Sequence, residues 1–112
     1  MPDPTSEAPV LDLLAAMTAE SVARCDLDAN SLIAARLAAL AAVDAPTASY
    51  LVHIGPAMDS GVTIEQVQDI LIAVAPIIGT ARTLSAAENI TAALGITIVA
   101  LEEALDAQQP GQ

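Results

Sequence analysis

Apolar residues near the start of the chain recur at helical spacing and predict a first helix from about Pro9 to Arg24. Ser6 or Glu7 lies near its expected cap, and a proline in the first turn is tolerated because the N–H it lacks would have no helical partner. The residues expected to form the inner stripe of this helix are Leu11, Leu14, Ala15, Val22 and Cys25.

A second helix is predicted to begin after Asp28, whose side chain suits an N-cap, and to end at about Val43. This segment is apolar nearly all round, and Arg36 is its only charged residue. Such a pattern is typical of a central, buried helix.

Turn and cap signals delimit the next two helices. Asp44 and Pro46 predict the cap and first-turn proline of a third helix that ends at about Met58. The sequence Asp59-Ser60-Gly61 supplies a C-terminal turn. Thr63-Ile64-Glu65-Gln66 then matches a capping box, which opens a fourth helix.

The fourth helix is expected to stop or kink near Pro76 and Gly79. Its predicted inward residues are Val67, Ile70, Leu71 and Val74. A fifth helix is predicted from about Thr80 to Leu94, and Gly95 should separate it from a last helix, Ile96 to Ala107. The predicted fold is therefore all-α, with about six helices.

A chain of 112 residues has the size of one domain, so a single compact helical domain is expected over residues 1–112, with 1–8 and 108–112 frayed. The longest uncharged runs are shorter than the roughly 18 apolar residues that a membrane span needs. The first residues lack the basic region of a signal peptide, and one Cys cannot form an internal disulfide. We therefore expect a cytoplasmic protein that does not enter the membrane.

The charge balance limits the possible partners. Fourteen acidic residues face three Arg and no Lys, for a net charge of −11. Such a chain repels the phosphate backbone and anionic lipid surfaces, so neither nucleic acid nor membrane is an expected partner. The composition is nevertheless 54% apolar, and Ile70–Ile78 and Ile90–Leu101 are apolar on more than one face, which predicts a homo-oligomer.

Candidate chemistry concentrates on the third helix. Pro46, Ser49, Tyr50 and His53 have the spacing i, i+3, i+4, i+7 and so share one face. His53, with an ordinary pKa near 6.5, is the candidate general acid–base, and Ser49 and Tyr50 are candidate substrate contacts. The alternative is that His53 bonds to a carbonyl and that Tyr50 only packs in the core.

Two arginines are candidates for positioning a ligand. Arg36 is buried by pattern and needs an anionic partner. That partner is either an internal carboxylate, such as Asp44 or Asp69, or the carboxylate of a ligand, and Arg82 has the same two alternatives. His53 has no acidic residue at i+3 or i+4, so a metal site is not expected. The chain has no Gly-rich phosphate loop either, and no cofactor is expected.

An ordered set of motifs extends from Leu27 to about Gly95. Leu27-Asp28 is followed by His53, then Gly61-Val62-Thr63-Ile64-Glu65-Gln66-Val67, then Ala75-Pro76-Ile77-Ile78-Gly79 and Arg82. In this order the residues resemble the carboxymuconolactone decarboxylase-like family, which includes alkylhydroperoxidase D. The resemblance implies the all-α fold of that family and assembly as a dimer-based trimer or hexamer.

The resemblance also bears on activity. Where redox members of the family carry Cys-x-x-Cys, this chain has Pro46-Thr47-Ala48-Ser49, and the position of their upstream carboxylate falls near Ala34. Cys25 lies near the C-terminus of the first helix and is followed by Asp26 and Asp28, and both features disfavour a reactive thiolate. A thiol peroxidase is thus not expected. The family implies a small organic acid or lactone as ligand, with lyase-type chemistry at His53; the alternative is a non-catalytic oligomeric protein.

Overall fold

A computed structural model describes the backbone of residues 7–107 and the side chains of residues 7–95, Glu103 and Asp106. The helices are α1 (Pro9–Arg24), α2 (Ala29–Ala42), α3 (Thr47–Asp59), α4 (Ile64–Ile78) and α5 (Thr80–Ala107). Residues 7–107 contain no strand, so the all-α prediction is confirmed there. Of the ends expected to be frayed, 1–8 and 108–112, residues 1–6 and 108–112 lie outside the described residues, as does a cap at Ser6. Within those residues, no helix has both the length and the hydropathy to cross a bilayer.

Five helices rather than six lie in this region, because the predicted break at Gly95 is wrong. Helix α5 passes through it, since one glycine inside a helix costs only about 1 kcal/mol relative to alanine. The break at Gly79 is confirmed: its φ of 88° is in the left-handed region that favours glycine. Helix α4 also continues past Pro76 and ends at Ile78.

Two predicted helix caps are confirmed. The Asp28 carboxylate accepts hydrogen bonds from the Ser31 N–H at 2.8 Å and from the Ser31 hydroxyl at 2.9 Å, which lower the pKa of Asp28. The Thr63 hydroxyl accepts from the Gln66 N–H at 3.1 Å, and the Gln66 side chain accepts from the Thr63 N–H at 2.8 Å. This reciprocal pair is the predicted capping box.

The predicted cap of α3 at Asp44 is wrong, because Pro46 occupies the N-cap position. Asp44 has a φ of 55°, and its carboxylate accepts a hydrogen bond from the Ser85 hydroxyl at 2.6 Å. Close by, the Thr47 hydroxyl donates to the Asn89 side-chain oxygen at 2.8 Å. These bonds attach the α2–α3 connection to α5.

Helices α2 to α5 enclose one hydrophobic core. Its buried members are Leu37, Ala41, Ala45, Tyr50, Ile54, Ala57, Val62, Val67, Ala86, Ile90 and Ala93. The alanines allow helix axes to approach closely. Of the α4 residues expected to point inward, Val67 is buried, and Ile70, Leu71 and Val74 are half-buried.

Helix α1 stands apart from this core. Its predicted bounds are confirmed, but none of its residues is buried, and the predicted inner stripe is wrong. Leu11, Leu14 and Val22 are each at least 50% exposed. Among the described residues, no Cα of α1 lies within 8 Å of another helix. Periodicity identifies the apolar face of a helix, but it does not reveal whether the same chain covers that face.

Candidate functional site

A groove of about 470 Å³ lies between α1, α2 and α3. Its volume falls within the roughly 300–1,000 Å³ of typical small-molecule sites. The apolar lining consists of Ala15, Ala19, Val22, Ala29, Leu32, Ile33, Val52, Pro56 and Ala57. The polar lining consists of Thr18, Arg36, His53 and Ser60. The groove is thus mostly apolar, with few polar groups that could orient a ligand.

Two helical stripes with the same spacing, i, i+3, i+4, i+7, form two walls of the groove. They are Ala15, Thr18, Ala19 and Val22 on α1, and Ala29, Leu32, Ile33 and Arg36 on α2. Of these eight residues only Arg36 was a predicted site residue; the helical pattern predicted a site wall on α3 alone. The matched spacing of the two stripes and the small residues on α1 could have indicated these walls. A sequence pattern does not show, however, that α1 and α2 lie side by side.

Arg36 is half-buried, and no carboxylate lies within 4.0 Å of its guanidinium among the described residues. In that part of the chain its hydrogen bond goes from Nη2 to the Thr18 carbonyl, at a long 3.4 Å. Of the internal partners predicted for it, Asp44 is bonded to Ser85, and Asp69 lines a different cavity. Since a guanidinium carries five N–H donors, Arg36 has donors left for a ligand.

His53 is half-buried in the same groove. Its burial lowers the pKa of the imidazole below the ordinary value, and the charge of Arg36 lowers it further. The imidazole is therefore neutral at pH 7 and able to accept a proton. Among the described hydrogen bonds, none joins the His53 ring to a backbone carbonyl, an arrangement that would favour the non-catalytic alternative.

The other predicted site residues lie outside the groove lining. Tyr50 points into the core, where its side chain is 0% exposed and its hydroxyl has no hydrogen-bond partner among the described residues. Burial raises the Tyr50 pKa, as does the charge of Asp44. Ser49 is half-buried and, in the described structure, not bonded to His53, and Arg82 is exposed on α5. The shared face of α3 thus meets the core at Tyr50 and the groove at His53.

The other candidate sites in the described structure are less suited to bind a ligand or a metal ion. A cavity of about 190 Å³ between α2 and α4 includes Asp69, an anion that does not suit an acidic ligand. Cys25 is a half-buried free thiol just after α1. No group of three or more His, Cys, Asp or Glu among the described residues is arranged to hold a metal ion.

The groove therefore combines two groups with different chemistry. Arg36 supplies a guanidinium with N–H donors, whereas His53 can gain and lose a proton. Together with the apolar walls, these groups suit a ligand that has an anionic group, an apolar body and an atom that exchanges a proton. No family model, curated protein or solved structure matches the chain.

Proposed function

We propose that the protein binds a small organic acid or lactone in this groove and that His53 transfers a proton in a cofactor-independent, lyase-type reaction. The observation that carries the proposal is that Arg36 and His53 share one apolar groove and lack internal charge partners among the described residues. Leaving a charge unpaired in an apolar environment is costly. A ligand carboxylate removes that cost by accepting two parallel hydrogen bonds from the guanidinium.

The state of His53 supports a role in proton transfer. Burial lowers the pKa of His53, so the imidazole gives up a proton readily once it has taken one from water. In a decarboxylation the C–C bond to the carboxylate breaks, carbon dioxide leaves, and the electron pair moves towards a neighbouring carbonyl group. His53 then passes its proton to the carbon that lost the carboxylate. The resemblance to the carboxymuconolactone decarboxylase-like family agrees with this role, since its decarboxylase members work without the cysteine pair. We propose that the chain is a member of a branch that lacks that pair and is not a thiol peroxidase.

A thermal-shift screen of lactones, muconate-like diacids and other organic acids tests the proposal on the wild type, Arg36→Lys, Arg82→Lys and His53→Ala. Replacing Arg36 should weaken an acid hit about tenfold or more, because such a contact contributes roughly 1.5–3 kcal/mol. Arg82→Lys should bind as the wild type does, since Arg82 is exposed and outside the groove lining. His53→Ala should keep binding but lose any turnover of the hit.

Two results would contradict this assignment. Equal affinity of the wild type and Arg36→Lys would place the anion site elsewhere. Loss of the fold in Arg36→Lys without any ligand present would make Arg36 a structural residue instead.

A second observation supports self-association, which the non-catalytic alternative also requires. A stripe on α1 at spacing i, i+3, i+4, i+7 consists of Val10, Leu13, Leu14 and Met17, which are 50–68% exposed. None of these residues lines the groove. An exposed apolar stripe of this kind is a surface that a second copy can cover. We propose a homo-oligomer, for which the family resemblance suggests a dimer-based trimer or hexamer.

Light scattering on the wild type, Leu13→Glu and Ala23→Glu tests this assembly. Both substitutions add one negative charge to an exposed position of α1, but only Leu13 belongs to the stripe. We expect the wild type and Ala23→Glu to exceed the 11.3 kDa of one chain and Leu13→Glu to dissociate. A monodisperse wild-type monomer at micromolar concentration would contradict the proposal.

A further inference from the structure

The charged groups of the groove lie together at one end. Arg36 is the last groove-lining residue of α2, and its Nη2 reaches the Thr18 carbonyl of α1 at 3.4 Å. His53 lies near the start of the α3 segment that lines the groove, close enough to Arg36 to be affected by its charge. The groove therefore has one cationic end.

The remainder of the groove is mostly apolar and about 10 Å long. At 1.5 Å per residue, the distance is about 10 Å from Ala29 to Arg36 along α2, and about the same from His53 to Ser60 along α3. At the far end, the Ser60 hydroxyl already donates to the Pro56 carbonyl at 3.0 Å. Among the described residues that line the groove, none at that end carries a charge.

We propose that the groove selects a monocarboxylic acid with an apolar body up to about 10 Å long and discriminates against the dicarboxylic acid of equal length. This inference rests on the proposed function, in which the acid binds at Arg36 and His53. One carboxylate is neutralised at the cationic end, and the apolar body leaves water as it covers the wall. A second carboxylate reaches the far end, where the described lining offers it no cationic group, the Ser60 hydroxyl is already bonded to Pro56, and the net charge of −11 repels the additional anion.

Isothermal titration calorimetry with acetate, octanoate and suberate measures this selectivity. Octanoate should bind at least about 100-fold more tightly than acetate, because each buried methylene contributes about fourfold in affinity. Suberate has the same chain length with a carboxylate at both ends and should bind at least about tenfold more weakly than octanoate, because its second charge is unpaired and it buries less apolar surface. Octanol, which lacks the carboxylate, should also bind more weakly than octanoate.

The imidazole signal of His53 in a nuclear magnetic resonance spectrum reports where these acids bind, because His53 is the chain's one histidine. Octanoate should shift this signal and raise the pH at which it titrates. If acetate and suberate shift it at concentrations as low as octanoate does, acid binding stands but the selectivity for an apolar body is refuted. If no acid shifts it, the proposed function fails as well.

A matched pair of variants on α1 distinguishes the groove wall from an exposed position outside it. Ala19→Phe fills the groove from its α1 wall, whereas Ala23→Phe places the same ring on an exposed position of α1 outside the lining. With folding checked by circular dichroism, Ala19→Phe should weaken octanoate at least about tenfold, and Ala23→Phe should not. Wild-type octanoate affinity in a folded Ala19→Phe would show that the acid binds elsewhere and would overturn the inference.

Discussion

Removing the Tyr50 hydroxyl should stabilise the protein. The side chain is fully buried, and its hydroxyl has no hydrogen-bond partner among the described residues. A buried polar group without a partner costs about 1–3 kcal/mol, and the void left by one oxygen is smaller than the methyl-sized void that costs about 1 kcal/mol. Tyr50→Phe should therefore raise the free energy of unfolding by about 1 kcal/mol. In a domain of this size, such a gain corresponds to roughly 4 °C in Tm.

Urea unfolding followed by far-ultraviolet circular dichroism measures this change and should give an unaltered m-value. Tyr50→Leu is the control: it also lacks the hydroxyl but loses ring packing, and it should cost at least about 1 kcal/mol. Because the folded-state pKa of Tyr50 is raised, the wild type should also lose stability as the pH rises above about 10, and Tyr50→Phe should lose less.

The reasoning would be refuted if Tyr50→Phe were less stable than the wild type by about 1 kcal/mol or more. A loss of that size is the usual cost of removing a hydroxyl that has a hydrogen-bond partner. The hydroxyl would then have a partner in solution, and Tyr50 would again be a candidate ligand contact.

Three further predictions concern other parts of the chain. The folded-state pKa of His53 lies below its ordinary value of about 6.5, so the unfolded state takes up this proton first and the free energy of unfolding should fall as the pH drops below about 6.5. In urea unfolding, His53→Gln should flatten this part of the pH profile, and an unchanged slope would contradict the assignment. Thr63→Ala should cost about 1 kcal/mol in the same assay by removing the α4 cap, whereas Thr91→Ala, inside α5, should cost little or nothing. The protein should show no hydroperoxide turnover with a dithiol reductant, because Cys25 has no resolving thiol; activity that Cys25→Ser abolishes would show otherwise.

Features that depend on a few neighbouring residues were predictable from the sequence. The caps at Asp28 and Thr63 are hydrogen bonds to residues three positions later, so the local residue types determine them. Asp44 behaves differently because its carboxylate bonds to Ser85, which is 41 positions away. Because the sequence does not reveal that contact, the local residue types predict Asp44 as the cap of α3. The predicted break at Gly95 is wrong for a different, local reason: a single weak helix former rarely outweighs the helix-forming residues on either side of it.

The candidate site was predictable only in part. Helical spacing placed Tyr50 and His53 on one side of α3, but that side meets two environments, which depend on where the neighbouring helices lie. Arg36 was expected to be buried and in need of an anion, and the structure places it beside His53. What no pattern indicated is that α1 leaves a gap of about 470 Å³ against α2 and α3. The separation of helices depends on contacts distant in sequence.

Helix α1 forms one wall of the groove without contributing a buried residue, so it should unfold locally more easily than the other helices. A helix held by few buried contacts exchanges its amide hydrogens through local unfolding, at a free energy below that of the whole domain. The amides of 9–24 should thus exchange faster than those of 29–42. A ligand that needs all three walls must order α1, and that cost offsets part of its affinity. A better helix former at an exposed position, such as Ser21→Ala, should therefore tighten binding without touching the ligand.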